Sequence, residues 1–339
     1  MTDRRARVVC FGEALVDLFP ASLDARGRPL AAVETFRRCV GGAPANVAVG
    51  LGRLGVRAAL LSYVGRDAFG DFLRGALETD GVEVRGVESL PARTGITFVS
   101  WDAAGERSFL FYRHGSADAL LDVGLVERHA ELVAESAVVQ LGTSTLVCDP
   151  AASATRRLLE LCHAARTAIG LDLNLRLHLW PSRDAALEAA RWLARQATVL
   201  KADAGEAFEL TGERDPERAA QALLALGPRL VAVTCGDAGA VWASPAASGR
   251  AFAAPVVVKD STGAGDGFCA GLLAALLEGA SGADPAALCD QDAASLARAV
   301  QRGCWAGSLV CREVGAVSSA PRREELEELG RLAACGPIA

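Results

Sequence analysis

Short β-branched apolar runs alternate with longer amphipathic stretches along most of the chain. Val8-Val9-Cys10-Phe11 is the first run and stops at Gly12, as a short buried strand does. A helix is predicted from Pro44, where proline suits the first turn, then a strand over Ala58–Val64 and a helix over Phe69–Thr79. Between residues 122 and 234 the rhythm is regular. Helices fall around 122–134, 151–166, 182–196 and 215–226, and apolar strands around 137–141, 168–172, 198–201 and 230–234. That alternation predicts an α/β protein with a parallel sheet flanked by helices and ligands at the strand C-terminal ends. Two alternating runs, 94–101 and 107–112, flank a turn with Gly105 and predict an antiparallel hairpin in a small sheet apart from the main one. Pro255-Val256-Val257-Val258 reads as a strand and 269–277 as a buried helix. A small-residue helix is predicted over 293–311 and an amphipathic one over 322–332. No internal repeat, low-complexity tract or interdomain linker interrupts the pattern, so residues 1–339 read as one domain.

Composition narrows the class. Of 339 residues 51% are hydrophobic and 22% charged, which supports a sizeable core and excludes wholesale disorder. A net charge of -6 argues against a nucleic-acid binder held by phosphate contacts but says nothing against nucleotides. Ten cysteines stand singly, with no Cys-x-x-Cys and no His-Glu-x-x-His, so zinc and thioredoxin-like readings fail. The spacing suggests reduced thiols in a cytoplasmic protein. Glu13 and Asp17 interrupt the first apolar stretch, which makes a poor signal peptide. With no apolar run of about 18 residues, no membrane span is expected.

The densest chemistry lies in Lys259-Asp260-Ser261-Thr262-Gly263-Ala264-Gly265-Asp266, a small-residue turn leading into a buried helix. A helix N-terminus offers unpaired amides and the positive dipole end to an anion. Gly263, Ala264 and Gly265 would let those amides approach a phosphate. Asp266 would repel phosphate unless it acts on the nucleophile, taking a hydroxyl proton while the amides hold the phosphoryl charge. A plain helix cap is the alternative. No Gly-Lys-Ser/Thr follows, so this is not a Walker A loop. A dinucleotide-binding module is disfavoured as well, because no Gly-x-Gly-x-x-Gly follows the first strand.

Other polar residues sit where strands end. Asp17 is either a turn residue or an acceptor for polyol hydroxyls. In Gly41-Gly42-Ala43-Pro44-Ala45-Asn46, Asn46 either caps the helix or gives donor and acceptor to a hydroxyl. Arg113, in Phe111-Tyr112-Arg113, either meets hydroxyls or neutralises Asp118. Arg176 either meets substrate or phosphate, or pairs with Asp172. The four histidines, His178 among them, read as packing residues rather than ligands.

These segments together resemble the ribokinase-like (PfkB) carbohydrate kinases over nearly the whole chain. Asp260-Ser261-Thr262-Gly263-Ala264-Gly265-Asp266 resembles the C-terminal signature of that family, and 41–55 the N-terminal one. Gly-Gly-Ala-Pro-Ala-Asn, Phe111–Asp118 and Asp172–Trp180 are most similar to fructokinases. The last of these is shared with 2-keto-3-deoxygluconate kinases. The resemblance implies a three-layer sandwich with a mostly parallel central sheet, and a β-sheet lid from about 15–40 and 93–117. It implies an ATP-dependent sugar kinase, with Asp266 as base and Gly263, Ala264 and Gly265 as the anion hole. Sugar contacts would come from Asp17, Gly42, Asn46, Phe111, Arg113 and Arg176. Lys201, Glu206, Thr234, Gly236 and Gly239 would serve ATP, with Gly263 and Gly265. Glu206 would meet magnesium through water, although Asp203 stands where the family usually has Asn. Asp260 and Thr262 resemble positions that help hold potassium. The lid of this family implies a homodimer. Fructose is the expected substrate and 2-keto-3-deoxygluconate the alternative, through Tyr112-Arg113 and Arg176. A silent sugar sensor on the same fold is a further alternative.

Overall fold

The computed structural model describes residues 7–22, 27–102, 107–280 and 287–334. In chain order the first strands are β1 (Arg7–Phe11), β2 (Leu15–Pro20), β3 (Phe36–Gly41), β4 (Arg57–Gly65), β5 (Val82–Glu83), β6 (Val87–Leu90), β7 (Ile96–Trp101) and β8 (Arg107–Tyr112). They continue with β9 (Val138–Gly142), β10 (Ala168–Asp172), β11 (Val199–Asp203), β12 (Leu230–Thr234), β13 (Ala240–Ala243) and β14 (Ser248–Ala251). The helices are α1 (Ala43–Arg53), α2 (Ala68–Thr79), α3 (Val123–Arg128), α4 (Ala130–Ala134), α5 (Ala151–Ala165) and α6 (Arg183–Ala194). After them come α7 (Ala204–Thr211), α8 (Pro216–Leu224), α9 (Ala264–Gly279), α10 (Ala293–Val310) and α11 (Arg323–Ala334).

The large sheet runs β14-β13-β12-β11-β10-β9-β1-β4-β5, with β6 beside β4. It is parallel from β12 to β5, and β13 and β14 add an antiparallel hairpin at one edge. Its central strands are buried on both faces, as parallel strands covered by helices must be. Alternate side chains feed two cores. Val8, Cys10 and Leu60 pack against α1, α9 and α10, while Val9, Phe11 and Leu61 pack on the other face against α3, α5 and α6. Three layers result. The second sheet, β3-β2-β7-β8, joins β2 and β7 in parallel and the outer pairs antiparallel. It lies within the two segments expected to form a separate small sheet. The hairpin turn, residues 103–106, falls outside the described residues.

Two expectations need correction, and one hairpin was not expected. Pro255-Val256-Val257-Val258 is not a strand. Val257 and Val258 are 83% and 60% exposed, and the backbone nearby bonds instead to α10 and its C-terminal end, Ala254 N to Ser308 Oγ and Lys259 N to the Cys311 carbonyl. The helix expected over 122–134 breaks at His129 into α3 and α4. The β13–β14 hairpin had no alternation to announce it, because Ala, Gly and Ser dominate its sequence. Among the described residues nine cysteines are free, and seven of these are buried. No helix among the described residues is long and apolar enough to cross a membrane.

Candidate active site

The loop before α9 folds around Asp260. Its Oδ1 accepts from Thr262 N at 3.1 Å and from Thr262 Oγ1 at 2.7 Å, and its Oδ2 accepts from Gly315 N at 3.0 Å. The chain then turns at Gly263, whose φ of +81° is left-handed and whose added Cβ would lie 2.6 Å from Ala316 Cα. Only glycine fits there. α9 starts at Ala264, so the Gly265 and Asp266 amides have no partner within the helix.

Beneath this turn lies a buried charge cluster. Lys201, in the middle of β11, donates at 2.9 Å to Oδ1 of Asp172, which ends the neighbouring β10. A Cβ on Gly265 would lie 2.9 Å from Lys201 Nζ and 3.8 Å from Asp172 Oδ2. The ammonium is therefore pressed against the first turn of α9. Burial alone would lower the Lys201 pKa, but Asp172 and Glu206 outweigh it and hold the group charged. Cys269, one turn on from Asp266, has its thiol pushed well up by burial and by Asp172. Neither the Lys201–Asp172 pair nor Cys269 was legible as part of the site.

Asp266 is half-buried, and its Oδ2 accepts from Asn46 Nδ2 at 2.8 Å. Asn46 stands in the first turn of α1, after Gly42 at φ +96° and Pro44. Its buried Oδ1 has no hydrogen-bond partner among the described residues. Burial raises the Asp266 carboxyl to about 7 and Asp172 adds to the rise, while Asn46, Lys201 and Arg176 pull it back. A crevice lined by Pro44, Ser144, Asp172, Asn174 and Asp266 opens beside it. Asn174 is held at φ +40° there.

Asp17 lies within β2 of the second sheet, not just past a strand end as expected, because the chain has already turned at Gly12. It is 8% exposed, and its carboxyl is packed so closely on Gly41 that a Cβ there would meet Asp17 Cγ at 2.3 Å. Burial raises it to about 7, Asp266 and Asp260 add like-charge repulsion, and Arg113 opposes the rise. Arg113 itself is committed: its Nε and Nη2 bond Asp118 Oδ2 at 2.7 and 2.6 Å. That is the neutralising alternative. Arg176 is exposed, and Asp172 takes Lys201 as partner rather than Arg176. Phe111 stacks on His178 at 6.1 Å between ring centroids, joining β8 to the loop after β10.

Glu206 closes a capping box with Asp203 at the start of α7. Its Oε2 accepts from Asp203 N and its Oε1 from Leu175 N, so it ties the β10 and β11 loops together. Thr234, Gly236 and Gly239 do line one cavity, of about 490 Å³, with Val256, Phe268, Cys304, Gly307 and Cys311. This cavity reaches Ser261, Ala264 and Gly265, so a small-residue slot ends at the unpaired amides of α9.

The pfkB family carbohydrate kinase pattern matches residues 5–323. Fructokinase-1 of Oryza sativa subsp. japonica is 35% identical over 331 residues, covering 97% of this chain and 99% of that protein. A crystal structure of a fructokinase with bound ATP from Xylella fastidiosa superposes with a TM-score of 0.85 at 29% identity, covering 97% and 99% of the two chains. A fructokinase from Vibrio cholerae O395, in a fructose-, ADP- and calcium-bound form, gives 0.81 at 28% identity over 96% and 99%.

Proposed function

Since the chain belongs to the pfkB family of carbohydrate kinases, and so is an ATP-dependent sugar kinase, we propose that fructose is its substrate and Asp266 its base. One observation carries the assignment of the base. Among the described residues, Asp266 adjoins the free amides of the α9 N-terminus and accepts from an Asn whose acceptor oxygen has no partner. The nucleotide would lie in the slot between Thr234 and Cys311 with its terminal phosphate at Gly263–Gly265. Asp266 would take the proton of a primary sugar hydroxyl. The oxygen so freed forms the new O–P bond as the bond to ADP breaks. Charge gathering on the phosphoryl group would meet the Gly265 and Asp266 amides and the Lys201 ammonium beneath them. Asn46 keeps Asp266 oriented and offers Oδ1 to a sugar hydroxyl; Asp17 and Gly42 bound the sugar from the β2–β3 side. Phe111 would cover its apolar face.

Magnesium, when bound, would neutralise phosphate charge. Among the described residues no group of three or more His, Cys, Asp or Glu could hold it, so it would enter with the nucleotide and meet Glu206 through water. We assign no step to potassium; Asp260 accepts from Thr262 and from Gly315 N. Fructose is favoured over the keto-acid because Asp118 already occupies Arg113, which leaves Arg176 as the one cation of the expected pair.

ADP release with magnesium–ATP over fructose, 2-keto-3-deoxygluconate, ribose, adenosine and no sugar tests the reading. Fast release with fructose alone is expected. Preference for the keto-acid would overturn fructose and make Arg176 a carboxylate ligand. Sugar binding without any release would replace the kinase reading with a sensor.

A further inference from the structure

The second sheet touches the anion loop through two arginines. Arg107 of β8 donates from Nη1 to Thr262 Oγ1 at 3.0 Å. Thr262 donates its own hydroxyl hydrogen bond to Asp260 Oδ1, and Asp260 Oδ2 accepts from Gly315 N. Arg37 of β3 bonds the Val314 carbonyl, next to Gly315. Because β3 and β8 are opposite edges of the four-stranded sheet, the sheet is pinned at both margins to one pair of loops. The Arg107 charge also reaches the wall of the nucleotide slot: burial and Asp260 push the Cys311 thiol up, and Arg107 offsets part of that rise.

We propose that Arg107 is a positioning residue for phosphoryl transfer: through Thr262 it holds the Gly263–Gly265 turn in register when the second sheet covers the site. This rests on the reading of Gly263–Gly265 as the phosphate cradle. Thr262 immediately precedes Gly263, whose left-handed turn sets the direction of the α9 amides. An acceptor hydroxyl fixed on one side by Asp260 and on the other by a guanidinium has one orientation. Without Arg107 it keeps the Asp260 bond but loses the tie to the sheet that carries Asp17. Sugar held by Asp17 and phosphate held by the turn are then no longer aligned, and misalignment of a few tenths of an ångström lowers turnover rather than affinity.

The test is a double-mutant cycle of Arg107→Ala and Thr262→Val, with Arg107→Lys and Thr262→Ser as conservative partners. A charge-assisted hydrogen bond contributes enough that Arg107→Ala should lower kcat roughly tenfold or more. The sugar KM should stay within about twofold, because no sugar contact is removed. Arg107→Lys and Thr262→Ser should recover most of the loss, and the double variant should be no slower than the worse single one, which is the mark of a shared contact. Additive losses, or an Arg107→Ala enzyme at full kcat, would overturn the proposal. Asp266→Asn run alongside separates the two readings: if it keeps full turnover the site assignment fails, whereas its loss beside an unaffected Arg107→Ala sinks only the role of Arg107.

Discussion

The two halves of the site are held in opposite ways. On the large-sheet side, Asp266, Asn46, Asp172, Lys201 and Cys269 form one packed cluster, fixed by helix starts and strand ends whose neighbours are core. On the second-sheet side, β7 alternates inward and outward, and β8 is exposed along all six residues. Val16 and Val40 join its strands β2 and β3 to the main core, and Phe19, Cys39, Val99 and Trp101 pack with Val314, while single contacts tie its outer parts to the active-site loops, Arg107 to Thr262, Arg37 to Val314, and Phe111 on His178. On the proposed reading the base stands on the large-sheet side, where a carboxylate is held desolvated against like charge. The outer strand β8, exposed throughout, meets the site through bonds that can break singly. Changes on the first side should act on turnover and stability, and those on the second on affinity and alignment.

The sharpest way to break that contrast is Asp266→Asn. If Asp266 takes the proton, kcat should fall roughly 100- to 10,000-fold with little change in sugar binding, measured by steady-state kinetics and calorimetry. In the parent enzyme kcat should decline as pH falls below about 7, where the raised carboxyl gains its proton. Stability runs the other way. A carboxyl with its folded pKa above the usual 3.8 contributes stability that is present below about 4 and lost as pH rises through 7. Asp266→Asn should therefore raise Tm at pH 8, by removing a desolvated charge, and the gain should vanish toward pH 4. A loss of both activity and stability at pH 8 would instead make the residue structural.

A smaller effect, of the opposite kind, is expected at Arg113. Its partner Asp118 has a fully buried side chain and also accepts from Ser116 Oγ at 2.6 Å. Arg113→Met strands that carboxylate and should cost about 3 kcal/mol of stability, read by denaturant melts, since an unpaired buried charge is the expensive case. Sugar KM should stay within about twofold, and Asp118→Asn in the same chain should restore most of the stability. A large rise in KM with unchanged stability would return Arg113 to the sugar.

What the sequence disclosed follows the same division. The parallel strands announce themselves because burial on both faces demands continuous β-branched runs, and Asp266, Asn46 and the glycines fall in segments whose local turn and helix chemistry is readable. Alternation shows the β7–β8 half of the second sheet, while β2 and β3 were expected only from the family resemblance. Pairings across the fold were not legible. Lys201 and Asp172 are 29 positions apart and Arg107 and Thr262 155, and no local pattern links such partners. Arg113 shows the middle case: with Asp118 five positions on, the ion pair could be named as an alternative but not chosen. The Val256–Val258 run misled because β-branched residues serve a slot wall as readily as a strand.

Asp17 is where the two halves meet, and its removal should give the smallest but most diagnostic change. It belongs to the second sheet by sequence and strand, yet it feels the charge of Asp266 as a cause of its own raised pKa. Asp17→Ala removes a charged acceptor for sugar hydroxyls and should raise sugar KM roughly tenfold, the scale of one charge-assisted hydrogen bond. It also removes a like charge from the neighbourhood of Asp266. The kcat–pH midpoint should then move down from about 7, since Asp266 ionises more easily without a second carboxylate nearby. A tenfold KM change with a fixed midpoint would mean that Asp17 binds sugar but is electrically separate from the base. A shifted midpoint with unchanged KM would mean that the carboxylate tunes Asp266 and never meets the substrate.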